Sequence, residues 1–229
     1  MLVYLARKLK AVGMSNYNFL IHKINEKIVK SLPYEGLVVD LGCGTAPYKR
    51  HILSVAKQYV GVDWENSLHD QTHVDVFANL CERLPFDSNY ADTVTSFQVL
   101  EHLPEPSLFL SECFRILKPQ GKIFITVPFM WHVHEEPYDY FRYTRYGLEY
   151  LLQKNGFVEI EITENTGFWQ TWILKFNYHT MRFSTGFLKS FWIPVWWLGQ
   201  TIAPILDKHD RHPQETASYT ISAKKLCCL

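Results

Sequence analysis

Apolar runs of period two, or with no period, alternate along this chain with segments whose apolar positions fall three and four apart. Val38-Val39-Asp40-Leu41, Gln58 to Val62, His73 to Val76, Ala91 to Phe97, Lys122 to Val127 and Phe157 to Ile162 predict strands. Helical spacing joins Leu20, Ile21, Ile24, Ile28 and Leu32 between Ser15, an N-cap residue, and Pro33, a stop. A second helix is expected over 47–56. A third is expected over 106–117, with Leu108, Leu110, Cys113, Phe114 and Leu117 inward, and 118–121 closes it. Thr144 caps a fourth, in which Leu148, Leu151 and Leu152 face the core before Asn155-Gly156 ends it. Strands and helices alternating in this way predict an α/β fold with a doubly wound, mostly parallel sheet. The seventh strand is delayed to 217–224, where an antiparallel last strand is expected.

The delay is an insertion rich in aromatics. Between Gly167 and Asp207 lie Phe168, Trp169, Trp172, Phe176, Tyr178, Phe183, Phe187, Phe191, Trp192, Trp196 and Trp197, among few acids. The apolar run from Phe191 to Leu206 is broken by Pro194, Gln200, Thr201 and Pro204, and it falls short of the ~20 apolar residues that span a bilayer. An interfacial helical hairpin, a helical cap on the sheet and a homodimer interface all fit this pattern, so peripheral membrane contact through 187–206 stays open. Residues 2–12 set Leu2, Val3, Leu5, Leu9 and Val12 against Arg7, Lys8 and Lys10, which fits a membrane surface or a helix lying across the fold. The organisation expected is a helical segment over 1–34, a core over 35–163, the aromatic insertion over 164–215, and the last strand and tail over 216–229.

Composition narrows the partners. With 229 residues and a formal net charge of zero, the chain has room for one sizeable core, and its charge gives no general attraction to nucleic acid. The five cysteines, at 43, 81, 113, 227 and 228, lack metal-ligand spacing and read as reduced thiols. Cys227-Cys228-Leu229 lacks the cysteine four from the end that prenylation requires, so the tail reads as frayed. Met1 to Lys10 builds no leader-like apolar core, which points to the cytoplasm, with contact at the inner face of the membrane left open.

The densest chemical signal is Val38-Val39-Asp40-Leu41-Gly42-Cys43-Gly44-Thr45-Ala46-Pro47. A strand runs into a loop whose glycines permit close approach of main chain to a ligand, as at the carboxyl end of the first strand in open α/β sheets. A dinucleotide fingerprint would place a third glycine at 47, where this chain has proline. Asp63 ends the second strand about twenty residues beyond the glycines, where an acid can accept both ribose hydroxyls. This run, with Asp87 to Val94, Val99-Leu100-Glu101-His102-Leu103 and Arg115 to Gly121, resembles the class I S-adenosylmethionine-dependent methyltransferases of the methyltransferase-11 kind over residues 35–162. The resemblance implies a Rossmann-like seven-stranded sheet, S-adenosylmethionine as cofactor and S-adenosylhomocysteine as product.

It also implies where the ligands lie. Asp40, Gly42, Gly44 and Asp63 lead as cofactor contacts. Trp64, whose ring can pack on adenine, Asn79, Leu80 and Gln98 follow. Asn79 stands where the family places an acid on the adenine amino group, and an amide oxygen can accept that bond as well. His102, in the loop that passes under the cofactor, is a candidate proton acceptor, although Glu101 and His102 could equally hold that loop by hydrogen bonds.

Beyond the fifth strand, residues 128–144 crowd titratable groups with aromatics at the mouth of the sheet. His134, Glu135 or Glu136 could take a proton from a hydroxyl acceptor, while Tyr138, Tyr140 and Arg142 could orient a sugar or an anion. Internal pairing of Glu136, Asp139 and Arg142 is the structural alternative. No metal is expected, because His132, His134, Glu135 and Glu136 on an extended segment point in opposite directions. The string from His134 to Thr144 resembles methyltransferases of bacterial surface-glycan and lipid-linked pathways, which implies O-methylation of a glycan, a glycolipid or a related acceptor. A small-molecule or quinone methyltransferase, and a non-catalytic adaptor at a membrane or partner protein, are the alternatives.

Overall fold

The computed structural model describes residues 16–66, 70–186 and 188–226. The expectations for 2–12, for Ser15 and for the terminal cysteines lie outside the described residues, as does Phe187.

Seven strands form one sheet in the order β3-β2-β1-β4-β5-β7-β6. They are β1 (Leu37–Leu41), β2 (Gln58–Asp63), β3 (Val76–Phe77), β4 (Ala91–Phe97), β5 (Leu117–Pro128), β6 (Phe157–Glu164) and β7 (Ser218–Lys225). β1 pairs in parallel with β2 and β4, β2 with β3, and β4 with β5, while β7 runs antiparallel to β5 from Lys122↔Lys224 to Pro128↔Ser218. This is the doubly wound, mostly parallel sheet that the alternation of strands and helices predicts, and the Rossmann-like architecture that the resemblance implies. The order reverses beside β1, so the connections that leave the carboxyl ends of β1 and β4 run in opposite directions and open a crevice.

The helices are α1 (Phe19–Ser31), α2 (Lys49–Ile52), α3 (Pro106–Ile116), α4 (Arg145–Lys154), α5 (Phe168–Met181) and α6 (Leu188–His209). Thr144 caps α4 by accepting the Gly147 N–H. Leu108, expected inward on α3, is exposed instead, where Phe109 takes the buried position, and three further expectations shift. The helix after the glycine loop is one turn long, because Ala46 adopts a left-handed φ of 49° before it and turns follow it. The third strand lies at 76–77 rather than 73–76. Residues 118–121 belong to β5 instead of closing a helix: Leu117 is already extended and pairs with Ala91, and a register shift absorbs the extra residues before Lys122 meets Thr93.

Two compact units account for the described chain. In the unit of 30–163 and 218–226, Val39, Leu41, Val94, Ile123, Ile125 and Ile221 from the strands pack with Phe109, Leu110, Ile116 and Leu148 from the helices in one buried cluster. Burying each such side chain contributes roughly 1.5–3 kcal/mol, so the strands that carry the crevice are anchored in this core.

The unit of 16–29 and 164–217 is helical and carries buried polar links. Gln200 on α6 accepts the Leu20 N–H at 2.8 Å and donates to the Asn16 carbonyl at 3.1 Å. Trp196 Nε1 donates to Thr180 Oγ1 at 2.9 Å. Asp207 caps α5, accepting the Gly167 and Trp169 N–H groups at 2.9 Å and the Gln170 N–H at 3.2 Å. These bonds join segments distant in sequence, and no local pattern foretells them. Among the described residues, no helix is long and apolar enough to cross a membrane.

Candidate active site

A cavity of about 690 Å³ opens at the carboxyl ends of β1, β2 and β4. The loop after β1 forms its floor. Gly42 has φ 78°, and a Cβ there would lie 2.4 Å from Val99 Cγ2, so no larger residue fits that turn. The Gly42 and Cys43 N–H groups both donate to the Val62 carbonyl, at 2.8 and 3.0 Å. Asp63 Oδ2 accepts the Gly44 N–H at 2.6 Å, and Asp63 Oδ1 accepts the Trp64 N–H at 2.7 Å. One carboxylate thereby ties the loop after β1 to the end of β2.

The cofactor candidates fall into two groups. Gly42, Gly44, Asp63, Trp64, Asn79, Leu80 and Gln98 line the cavity. Asp40 does not: it is buried beneath the loop, where Tyr59 Oη donates to it at 2.7 Å and Thr95 Oγ1 at 2.8 Å. Burial pushes its carboxyl up to about 6 against the pull of those two bonds. Asn79 Oδ1 accepts the Cys81 N–H at 3.0 Å, so its amide is oriented by its own loop. Gln98, at the end of β4, holds a left-handed φ of 58° while its N–H donates to the Thr126 carbonyl at 2.9 Å, a strained backbone of the kind that accumulates at functional sites.

The segment after β5 folds back as a strap over the 3₁₀ turn Leu100–His102. The Tyr140 and Phe141 N–H groups donate to the Glu101 carbonyl at 2.9 and 3.2 Å, and Tyr143 Oη donates to the Leu100 carbonyl at 3.2 Å. His102 Nδ1 lies 2.8 Å from the Tyr138 carbonyl, which fixes the ring and leaves Nε2 as its acceptor. Glu135, Tyr138 and Tyr140 line the cavity with His102, and Tyr138 meets Trp64 edge to face at 5.7 Å.

His134, Glu136 and Arg142 are not among the lining residues. Arg142 braces the strap from within. Its guanidinium makes two 2.6 Å bonds to Asp139 and one of 2.8 Å to the His132 carbonyl. That pairing holds the Asp139 carboxyl down at about 2. Glu136 is exposed and stands outside this pair. Sequence reasoning missed Cys43, Phe97 and Val99, all in the lining. Their signal was position alone, since each borders a strand end that carries a named contact.

Residues 39–125 match the family described as "Methyltransferase domain". A probable S-adenosylmethionine-dependent methyltransferase of Mycolicibacterium smegmatis is 31% identical over 128 residues, 53% of this chain and 49% of that protein. The ubiquinone biosynthesis O-methyltransferase of Coxiella burnetii is 29% identical over 98 residues, 39% of this chain and 42% of that protein. The chain thus spans about half the length, or less, of these curated relatives. Among solved structures, a Haemonchus contortus phosphoethanolamine N-methyltransferase 2, in complex with phosphomonomethylethanolamine and S-adenosylhomocysteine, superposes with a TM-score of 0.56 at 19% identity, covering 98% of this chain and 59% of that one. An S-adenosylmethionine-dependent methyltransferase from Mesorhizobium loti superposes with a TM-score of 0.58 at 17% identity, covering 90% and 100%. At such identities the superpositions establish the fold.

Proposed function

Since the chain carries a class I S-adenosylmethionine-dependent methyltransferase domain of type 11, we propose that it transfers a methyl group to an oxygen of a glycan, a glycolipid or a related acceptor. One observation carries this reading. A single cavity gathers the glycine loop and Asp63 with His102, Glu135, Tyr138 and Tyr140, so groups suited to an adenosyl ligand and groups suited to a hydroxyl share one space.

The residues fit the cofactor. Gly42 makes a turn that a side chain would block, and the Asp63 carboxylate keeps lone pairs for ribose hydroxyls beyond those given to Gly44 and Trp64. Trp64 and Leu80 offer apolar faces to the adenine. S-adenosylmethionine, when bound, supplies a methyl group on a sulfonium, an already good leaving group. What the protein must add is in-line placement of the acceptor and removal of its proton. His102 is suited to take that proton at Nε2, because its Nδ1 is engaged by the Tyr138 carbonyl. Glu135 Oε2, 3.7 Å from that nitrogen, is the second base within reach. Tyr138 and Tyr140 are half-exposed and present aromatic faces to a sugar ring.

The experiment is a screen of cell-envelope glycan, glycolipid and quinone extracts with methyl-labelled S-adenosylmethionine. A labelled methyl ether on a glycan or glycolipid supports the reading, and label confined to a quinone or to nitrogen overturns it.

A second, compatible element concerns α6. Phe191, Leu198, Ile202 and Ile205 recur at helical spacing and are 59%, 51%, 40% and 55% exposed. A row of that kind suits the headgroup boundary of a membrane, and so peripheral contact at its inner face with a lipid-linked acceptor. Flotation with anionic liposomes should carry the protein up and leave the triple variant Phe191→Ser, Leu198→Ser, Ile205→Ser behind. Dimerisation of the wild type, lost in that variant, would instead make the row an interface between copies.

A further inference from the structure

Glu101 is fully buried, and neither of its carboxylate oxygens has a hydrogen-bond partner. An orphaned carboxylate in an apolar setting is costly, and such groups are retained where something else completes them. Imidazole faces it, and the Arg142 guanidinium and the carboxylates of Asp139 and Glu135 also act on it. Glu101 Oε1 lies 3.7 Å from His102 Nε2, and one ligand atom from each of Glu101, His102 and His134 falls within 4.8 Å of the others. The edges of a tetrahedron built on bonds of ~2.1 Å measure about 3.4 Å, so small side-chain rotations would bring three donors onto one centre.

We propose that Glu101, His102 and His134 form a binding site for one divalent transition-metal ion at the edge of the cavity. One further feature of the geometry suits the task. Histidines that ligate metals usually give their other N–H to a carbonyl or a carboxylate, which fixes tautomer and ring orientation. His102 Nδ1 is 2.8 Å from the Tyr138 carbonyl. His134 is oriented differently: its Nδ1 lies 3.2 Å from Arg142 Nη2, which can only donate to it, and its backbone N–H donates to Asp139 Oδ2 at 2.8 Å. Two imidazoles and one carboxylate select a borderline ion such as zinc, cobalt or nickel over magnesium or calcium. These are not the four residues that the chain's spacing brings to mind. Glu101 and His102 come from the turn after β4, His134 from the strap after β5, and only the fold brings them together.

Three protein ligands leave coordination positions open, and His102 lines the cavity, so an acceptor hydroxyl could occupy one. There the ion would take the Nε2 lone pair that otherwise receives the proton. It would lower the pKa of the bound hydroxyl, whose proton passes to Glu135 while its oxygen attacks the methyl carbon and the carbon–sulfur bond breaks to leave the thioether. This catalytic role rests on the methyl-transfer reading; the binding of the ion does not.

Chelator-treated protein is titrated with cobalt(II) chloride, followed by calorimetry and visible absorption. One equivalent should bind, with d–d bands and without a thiolate charge-transfer band. Glu101→Gln and His134→Ala should each weaken binding by about tenfold or more, while Glu136→Gln does not. Neither variant touches the cavity lining, so S-adenosylhomocysteine affinity, measured in parallel, should stay at the wild-type value and tests the cofactor reading separately. No cobalt bound by the wild type, equal binding by the two ligand variants, or a thiolate band overturns the site. If Glu101→Gln fails to fold, His134→Ala decides by the same criteria.

Discussion

The Asp63 carboxylate, at the end of β2, accepts the Gly44 N–H at 2.6 Å, nineteen positions back along the chain in the loop after β1. The acid suited to ribose is therefore also the clamp that shapes the glycine loop. Ligand binding and loop geometry depend on one side chain.

Asp63→Ala is expected to weaken S-adenosylhomocysteine binding by roughly 10- to 100-fold, since a hydrogen bond to a charged group contributes about 1.5–3 kcal/mol and the Gly44 amide is released as well. Calorimetry on the purified variant checks this. An unchanged affinity would remove Asp63 from the ribose assignment.

Asp40 predicts a pH dependence. Its carboxyl is pushed from the ordinary 3.8 up to about 6 by burial, so the folded state holds that proton more tightly than the unfolded chain. Its contribution to stability is fully present below pH 3.8 and is lost as pH rises through about 6, a descent on the order of 3 kcal/mol. Asp40→Asn cannot ionise. Denaturant unfolding should show the variant gaining on the wild type across that window and a constant difference above it. Parallel curves from pH 4 to 7 would contradict this.

Arg142 supports the strap that carries Glu135, Tyr138 and Tyr140. Arg142→Ala leaves the Asp139 side chain, 1% exposed, without its bidentate partner. A loss of about 1–3 kcal/mol in stability is expected, with turnover down about 100-fold through misplaced acceptor groups. Arg142→Lys should not restore turnover, because an ammonium cannot reproduce the fork that also reaches the His132 carbonyl. Recovery by lysine would reduce the role of Arg142 to charge alone.

In the helical unit, Asp207→Ala strips the acceptor from the amides of Gly167, Trp169 and Gln170 at the start of α5. The expected cost is about 2–3 kcal/mol. Native-state hydrogen exchange should show lost protection at the first turn of α5; unaltered protection there would mean that water replaces the carboxylate.

The sheet and the cofactor were legible in the chain because both are written locally. A short β-rich run marks β4, alternation marks β6, an acid after an apolar run marks the ends of β1 and β2, and a Gly-x-Gly turn needs only its own backbone. The third strand, two residues long, was placed three residues early because so short a segment has no periodicity to read. Residues 118–121 read as a helix end in the sequence, because Pro119 and Gly121 mark breaks in either setting.

Side-chain direction was beyond the sequence. Arg142 reads as a ligand contact beside two tyrosines, yet it turns into the strap, since Asp139 lies three residues away and the His132 carbonyl folds over it. Asp40 reads as a cofactor contact, yet Tyr59 and Thr95 from the adjacent strands hold it under the loop. The sequence alone determined the succession of strands and helices along the chain, the glycine turn and the acid of β2, because strand periodicity and backbone freedom are properties of neighbouring residues. Tertiary structure alone decided that Glu101 lies buried without a hydrogen-bond partner beside His102 and His134, because that meeting depends on how the chain after β5 folds back over the turn after β4.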